Sequence, residues 1–196
     1  MPTPVSPPHV GEEAAVAATD AASRTDASVT TISICTWNIR SGRNGGLESA
    51  CRALDLSNVA VAVLQETKIT TDAYTKLSSG YRVQASKATS FRQGGVALCY
   101  RDDHPDFVLE EQRFFGPNVV AFRLTTGRDK LYCVGAYIPP SDDTEATLDD
   151  VRAAHAAQPK GFEFMLLGDL NINLDAPRDT REEIIAEQCD AWGLPA

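Results

Sequence analysis

The stretch VAVAVLQETK, residues 59–68, runs from a continuous apolar segment straight into a glutamine, a glutamate and a lysine. An uninterrupted apolar run of that length predicts a strand buried on both faces, and its abrupt polar end puts Glu66 at the strand's C-terminal tip. Two further stretches repeat the arrangement. Ile32-Ser33-Ile34-Cys35-Thr36-Trp37 alternates like a half-buried strand and gives way at Asn38 to a polar loop reaching Gly46. Phe162 to Leu167 is apolar and leads into Gly168-Asp169-Leu170-Asn171. Strand tips on a rigid scaffold can project polar side chains into one cleft, so the three tips are read together.

The intervening sequence supplies the rest of the architecture. Leu47, Ala50, Cys51 and Leu54 fall at helical spacing, which makes the opening a strand, a helix and a strand. A short helical turn is expected around Asp72 to Leu77. Strand-type runs follow at Tyr81 to Ala85, Gly95 to Tyr100, Phe107 to Glu111, Val119 to Leu124 and Leu131 to Ile138, the last halted by Pro139-Pro140. Asp143 to Ala157 and Arg181 to Trp192 read as helices. Many strands with few helices between them predict an α/β fold, a four-layered α/β sandwich of two packed β-sheets flanked by helices. Residues 1–30, rich in Pro, Ala, Ser and Thr, read as a disordered leader, and residues 31–196 as one domain.

Composition bounds the partners. The 196 residues are 43% hydrophobic and 23% charged, ordinary for a globular domain. No apolar run reaches the length of a membrane span and no signal peptide is recognisable, so an intracellular protein is expected, with a nuclear location plausible and secretion not. The five cysteines form no CxxC pair, so neither a zinc site nor a disulfide framework is expected, and Cys35, Cys99 and Cys133 read as small buried hydrophobes. A net charge of −9 argues against nucleic acid as a partner. Its distribution softens the objection, because residues 31–101 carry nine basic and four acidic side chains while residues 102–196 carry eight and nineteen. A phosphodiesterase also needs carboxylates, and a bound divalent ion reverses the local sign.

Each polar residue at the strand tips has an ordinary explanation when taken singly. Glu66 could cap a turn, Asp169 and Asn171 could close a strand through an Asx-turn, Asn38 could be a turn residue, and Tyr137 could be a packed strand aromatic. Taken together, four hard-oxygen groups on three strand tips, without His or Cys clusters, are what Mg²⁺ requires: few carboxylates, retained waters and phosphate oxygens. Arg40, Arg43, Lys68 and Arg92 could contact a nucleic-acid backbone, although solvated surface charge explains any one of them. Phe91, a single aromatic at the start of a strand, is expected in the core.

The ordered set TWNIR, LQETK, YIPP and GDLNINL, with the Gln93-Gly94-Gly95 turn before a central strand, resembles the endonuclease/exonuclease/phosphatase family, particularly the endonuclease domains of non-LTR retrotransposons. The resemblance spans roughly residues 31–192. It implies a metal-dependent DNA endonuclease with Mg²⁺, or Mn²⁺ in its place, as cofactor. It implies Glu66 as principal metal carboxylate with Asn38 beside it, and Asp169 as the group that orients or deprotonates the attacking water. Asn171 and Tyr137 are implied as contacts to the scissile phosphate. Other branches of the family, acting on small or lipid phosphoesters, and a non-catalytic remnant are the alternatives.

The pattern also breaks. No Ser-Asp-His type motif follows Asn171, and His9, His104 and His155 match no family position. The resemblance therefore implies a domain incomplete at its C-terminus, with its last strands missing, unpaired sheet edges and weak or no activity. Some family members also carry an acidic residue near Arg40, which is lacking here.

Overall fold

The computed structural model describes residues 31–140 and 144–194; the expected leader lies outside the described residues. Among the described residues, nine strands form two sheets. The first contains β1 (Ile34–Asn38), β2 (Val61–Gln65), β3 (Ala73–Lys76), β4 (Tyr81–Ala85) and β5 (Val96–Arg101), in the order β1-β2-β5-β4-β3. The second contains β6 (Phe107–Gly116), β7 (Val119–Thr126), β8 (Lys130–Tyr137) and β9 (Glu163–Asp169), in that order. β1 runs parallel to β2 and β9 parallel to β8, while the remaining pairs are antiparallel. The helices are α1 (Gly46–Leu56), α2 (Thr144–Ala156) and α3 (Thr180–Ala191).

The expected four layers are present. α1 buries Leu47, Ala50, Cys51 and Leu54 against Ala62, Leu64, Tyr81 and Val83 on the outer face of the first sheet. Between the sheets, Val61, Val63, Val96 and Leu98 meet Val120, Phe122, Leu124 and Cys133. On the far side, Val151 and Ala154 of α2 pack on Val119, Ala121 and Val134, and Ile185 and Cys189 of α3 join Ile138 and Leu148. β2 is buried throughout because it has layers on both faces, and each fully buried Val or Leu there contributes about 1.5–3 kcal/mol. β1 and β9 each have one partner strand and are less buried, with Trp37 of β1 43% exposed.

One expected element is different. Asp72 to Leu77 does not form a helical turn; it contains β3, paired with β4 from Ala73↔Ala85 to Lys76↔Arg82. The Leu77 amide closes the hairpin on the Tyr81 carbonyl at 2.8 Å, with Gly80 at φ 86. That hairpin loop with a left-handed glycine was the overlooked signal, and pairing to β4 outweighs local preference. Cys99 and Cys133 are buried as expected, whereas Cys35, on an edge strand, is only half-buried.

The register places the chemistry. Gln65 lies opposite Val96, and Tyr137 lies beside Asp169, so Asn38, Glu66, Tyr137 and Asp169 all emerge at one end of the sandwich.

Candidate active site

Asn38 stands at the centre of a hydrogen-bonded cluster. Its Nδ2 donates to Glu66 Oε1 at 2.8 Å and to Asp169 Oδ2 at 2.9 Å, joining three strand tips from two sheets. The Tyr137 hydroxyl donates to the same Glu66 oxygen at 3.2 Å, while its ring is buried between the sheets, so the packed aromatic and the site residue are one side chain. Asp169 Oδ1 accepts from the Asn171 backbone amide at 3.1 Å, and Asn171 Nδ2 donates to the Ile138 carbonyl at 3.0 Å. The five expected site residues are therefore brought together.

The backbone carries strain at the strand tips. Arg40, Glu66, Lys68 and Asn171 all have positive φ, between 50 and 59. Such a conformation costs roughly 1–2 kcal/mol for a residue other than glycine or asparagine. It persists where surrounding contacts over-determine it, and here it bends each chain sharply as it leaves its strand.

The turn bearing Glu66 is fixed from both sides. The Thr67 amide donates to the Gly95 carbonyl at 3.1 Å, the Lys68 amide to the Gly94 carbonyl at 3.0 Å, and the Gly42 amide to the Thr67 carbonyl at 2.7 Å. Gly95 has φ +86, and a Cβ there would lie 2.4 Å from Thr67 Oγ1, so both conformation and space demand glycine. This gives the Gln93-Gly94-Gly95 stretch its physical meaning. Buried Asn118 accepts from the Gly95 amide at 3.0 Å through Oδ1, and its carbonyl accepts from the Tyr137 amide at 2.9 Å. It thereby links the Glu66 turn to the Tyr137 strand.

Lys68 does not point freely to solvent: its Nζ lies 2.9 Å from Glu66 Oε2. Burial pushes the Glu66 carboxyl up, but hydrogen bonds from Asn38 and Lys68, the Lys68 charge and the Tyr137 hydroxyl outweigh it, leaving the group below its ordinary range. Burial, followed by the negative charges of Glu66 and Asp169, pushes the Tyr137 phenol far up, so it stays protonated.

Three contributors escaped sequence reasoning. Lys68 reads in sequence as a backbone-phosphate contact or a solvated surface cation, not as a partner of Glu66, and Asn118, after Pro117, looks like a turn residue. Arg181, at the start of α3, matches no motif; it donates to the Pro139 and Asn171 carbonyls, each at 3.1 Å, and to Thr144 Oγ1 at 2.9 Å. Arg40 and Arg43 are exposed on the loop after β1, and no carboxylate among the described residues forms an ion pair with either.

Residues 35–192 match the endonuclease/exonuclease/phosphatase family. The chain belongs to that family. No curated protein matches it. Solved structures of similar fold include the endonuclease domain of TRAS1, a telomere-specific non-LTR retrotransposon, at 17% identity over 83% of this chain and 71% of that one, with TM-score 0.62. An AP endonuclease from Archaeoglobus fulgidus has 16% identity over 82% and 70%, with TM-score 0.56. D. rerio TDP2, complexed with single strand DNA product, has 18% identity over 84% and 66%, with TM-score 0.51. At these identities the likeness is one of fold, and family membership makes the chain a phosphoester hydrolase by class.

The donor set of this family member suits a hard divalent cation. Each carboxylate oxygen has two acceptor positions, and those of Asp169 and the outer oxygen of Glu66 retain one apiece after the contacts above. Among the described residues there is no cluster of three or more His, Cys, Asp or Glu.

Proposed function

We propose that this chain is a Mg²⁺-dependent phosphodiester hydrolase, a DNA endonuclease of retroelement type, acting inside the cell and plausibly in the nucleus. The Asn38 amide bridging Glu66 and Asp169 carries the reading. It holds two carboxylates at fixed positions in one cleft, the preorganisation that aligned attack on a phosphodiester requires. The TWNIR, LQETK and GDLNINL motifs and the basic rim favour DNA as substrate.

Glu66, with Asn38 beside it, would hold Mg²⁺ or Mn²⁺, which when bound supplies neutralisation of charge on the phosphate oxygens. Asp169, fixed by Asn38 and the Asn171 amide, orients a water and accepts its proton. Asn171 spends one N–H on the Ile138 carbonyl and has a second for a phosphate oxygen. The Tyr137 proton is engaged by Glu66 at 3.2 Å, so contact with phosphate requires the hydroxyl to turn.

No described histidine reaches the cleft. His104 stacks on Phe107 beyond the far end of β5, and His155 of α2 lies against Phe164 and Trp192. Proton help from a histidine to the leaving oxygen is worth about 10²–10⁴ in rate, and none of the described histidines is placed to give it, so turnover by this chain is expected to be slow or absent. The test pairs nicking of supercoiled plasmid in Mg²⁺ with calorimetric Mg²⁺ binding, for wild type and Glu66→Ala. Mg²⁺ binding lost in Glu66→Ala supports the reading even when nicking is faint; neither binding nor nicking by the wild type rejects it.

A further inference from the structure

Phe91 contradicts the expectation that it belongs to the core, since it is 56% exposed. Exposure alone decides little, because Leu56 and Val108 are at least as open. What separates Phe91 is its company. The guanidinium carbons of Arg92 and Arg43 lie 5.3 and 5.8 Å from its ring centroid. Elsewhere among the described residues, rings paired with a cation, those of Tyr81, Phe115 and Phe162, are buried or half-buried. Among the described residues Arg43 and Arg92 form no ion pair; Arg113 over Phe115 forms none either, but that ring is half-buried, so only at Phe91 does an exposed ring carry cations without a carboxylate beside them.

The position of this group is fixed relative to the chemistry. Arg43 follows Gly42, whose amide is bonded to the Thr67 carbonyl, and Arg92 stands two residues before Gly94, whose carbonyl receives the Lys68 amide. Both segments are therefore stitched to the Glu66–Lys68 turn. An exposed aromatic with two unpaired guanidinium groups offers a face for any nucleobase and two positive charges for backbone phosphates.

We propose that Phe91, with Arg43 and Arg92 beside it on the rim of the Glu66 cleft, is a stacking platform for an unpaired nucleobase of the strand entering the site. The two arginines contact the phosphates flanking that base. This rests on nucleic acid being the substrate, but it concerns binding and stands independently of turnover.

The test is fluorescence anisotropy with a labelled single-stranded DNA oligonucleotide and an abasic oligonucleotide of the same backbone, both in EDTA to prevent cleavage. Phe91→Ala is expected to weaken binding of the base-bearing strand roughly tenfold and leave the abasic strand unchanged, and Phe91→Trp to restore it. Arg92→Ala is expected to weaken both strands and lower the salt slope by about one. Phe91 is exposed, so its variants should fold, which circular dichroism verifies. Equal effects of Phe91→Ala on the two strands, no binding by the wild type, or loss of binding only to anionic phosphoinositide vesicles would each overturn the proposal. Base-dependent binding with neither Mg²⁺ binding nor nicking leaves this inference standing and removes the nuclease reading; nicking with an indifferent Phe91→Ala does the reverse.

Discussion

Asn38 Nδ2 and Asp169 Oδ2 lie 2.9 Å apart although 131 residues separate them in sequence. Because the same amide nitrogen also donates to Glu66, the neutral amide spaces two carboxylates that would otherwise repel. Asn38→Asp would place a third carboxyl between them and remove both donors. Hydrogen bonds to charged groups contribute about 1.5–3 kcal/mol each, and partial exposure reduces the figure, so a loss of about 2 kcal/mol is expected at neutral pH. A shared proton replaces the missing donor in acid, so the loss should shrink between pH 7 and pH 4. Urea midpoints at the two pH values measure this. An equal loss at both would mean that charge repulsion is not the cause.

Gly95→Ala tests whether the glycine turn positions Glu66. The added Cβ meets Thr67 Oγ1 at 2.4 Å and Ala88 Cβ at 2.9 Å, in a conformation with φ +86 that alanine disfavours. Strain at such a position costs about 1–3 kcal/mol, and the Thr67 side chain is too buried to move aside cheaply. Thermal denaturation should show the loss, and the double variant Thr67→Ala/Gly95→Ala should recover the steric part while retaining the backbone part. A single variant as stable as wild type would show that this turn is not constrained as described.

The layers, most strands and the meeting of Asn38, Glu66 and Asp169 at one end were legible because their signals are local: an apolar run such as Val59 to Leu64, a helical repeat such as Leu47 to Leu54, a polar break at a strand tip. Tyr137 was picked out by the resemblance alone. What stayed hidden depends on distant partners. Lys68 is indistinguishable in sequence from a surface cation until the turn at Glu66 folds it back. Asn118 acquires its role only when Gly95 and Tyr137 arrive from other strands, and β3 is a strand because β4 is there to pair with it. Phe91 was misjudged because the presumption that an aromatic is buried takes no account of where its loop is tied.

The ionisation of Glu66 gives a pH prediction. Its folded-state carboxyl lies below its ordinary value, so the unfolded chain takes up the proton more readily. The associated stability is whole above the ordinary glutamate value of about 4.3 and is lost as pH falls through the lower folded value. Lys68→Met removes a hydrogen bond and a positive charge that act in this direction, so the Glu66 carboxyl should titrate at higher pH. Calorimetric Mg²⁺ binding should then fail at higher pH in the variant than in the wild type. An unshifted acid limit would show that Glu66 does not govern metal binding.

Arg181 joins the two loops that follow Tyr137 and Asp169, since its guanidinium reaches the Pro139, Leu170 and Asn171 carbonyls from the first turn of α3. Arg181→Met keeps much of the aliphatic volume but takes the guanidinium donor from the Leu170 and Asn171 carbonyls, while Pro139 keeps the Thr144 hydroxyl at 3.1 Å, at a cost of about 1–3 kcal/mol. Arg181→Lys keeps the charge without the planar fork that spans both loops, so it should recover only part of the loss. If the residue positions the site, nicking by Arg181→Met should fall at conditions where the chain is fully folded, with kcat reduced and KM little changed. A decline in nicking that follows the folded fraction at every urea concentration would assign Arg181 to stability alone, and an unchanged urea midpoint would show that its hydrogen bonds contribute nothing to either.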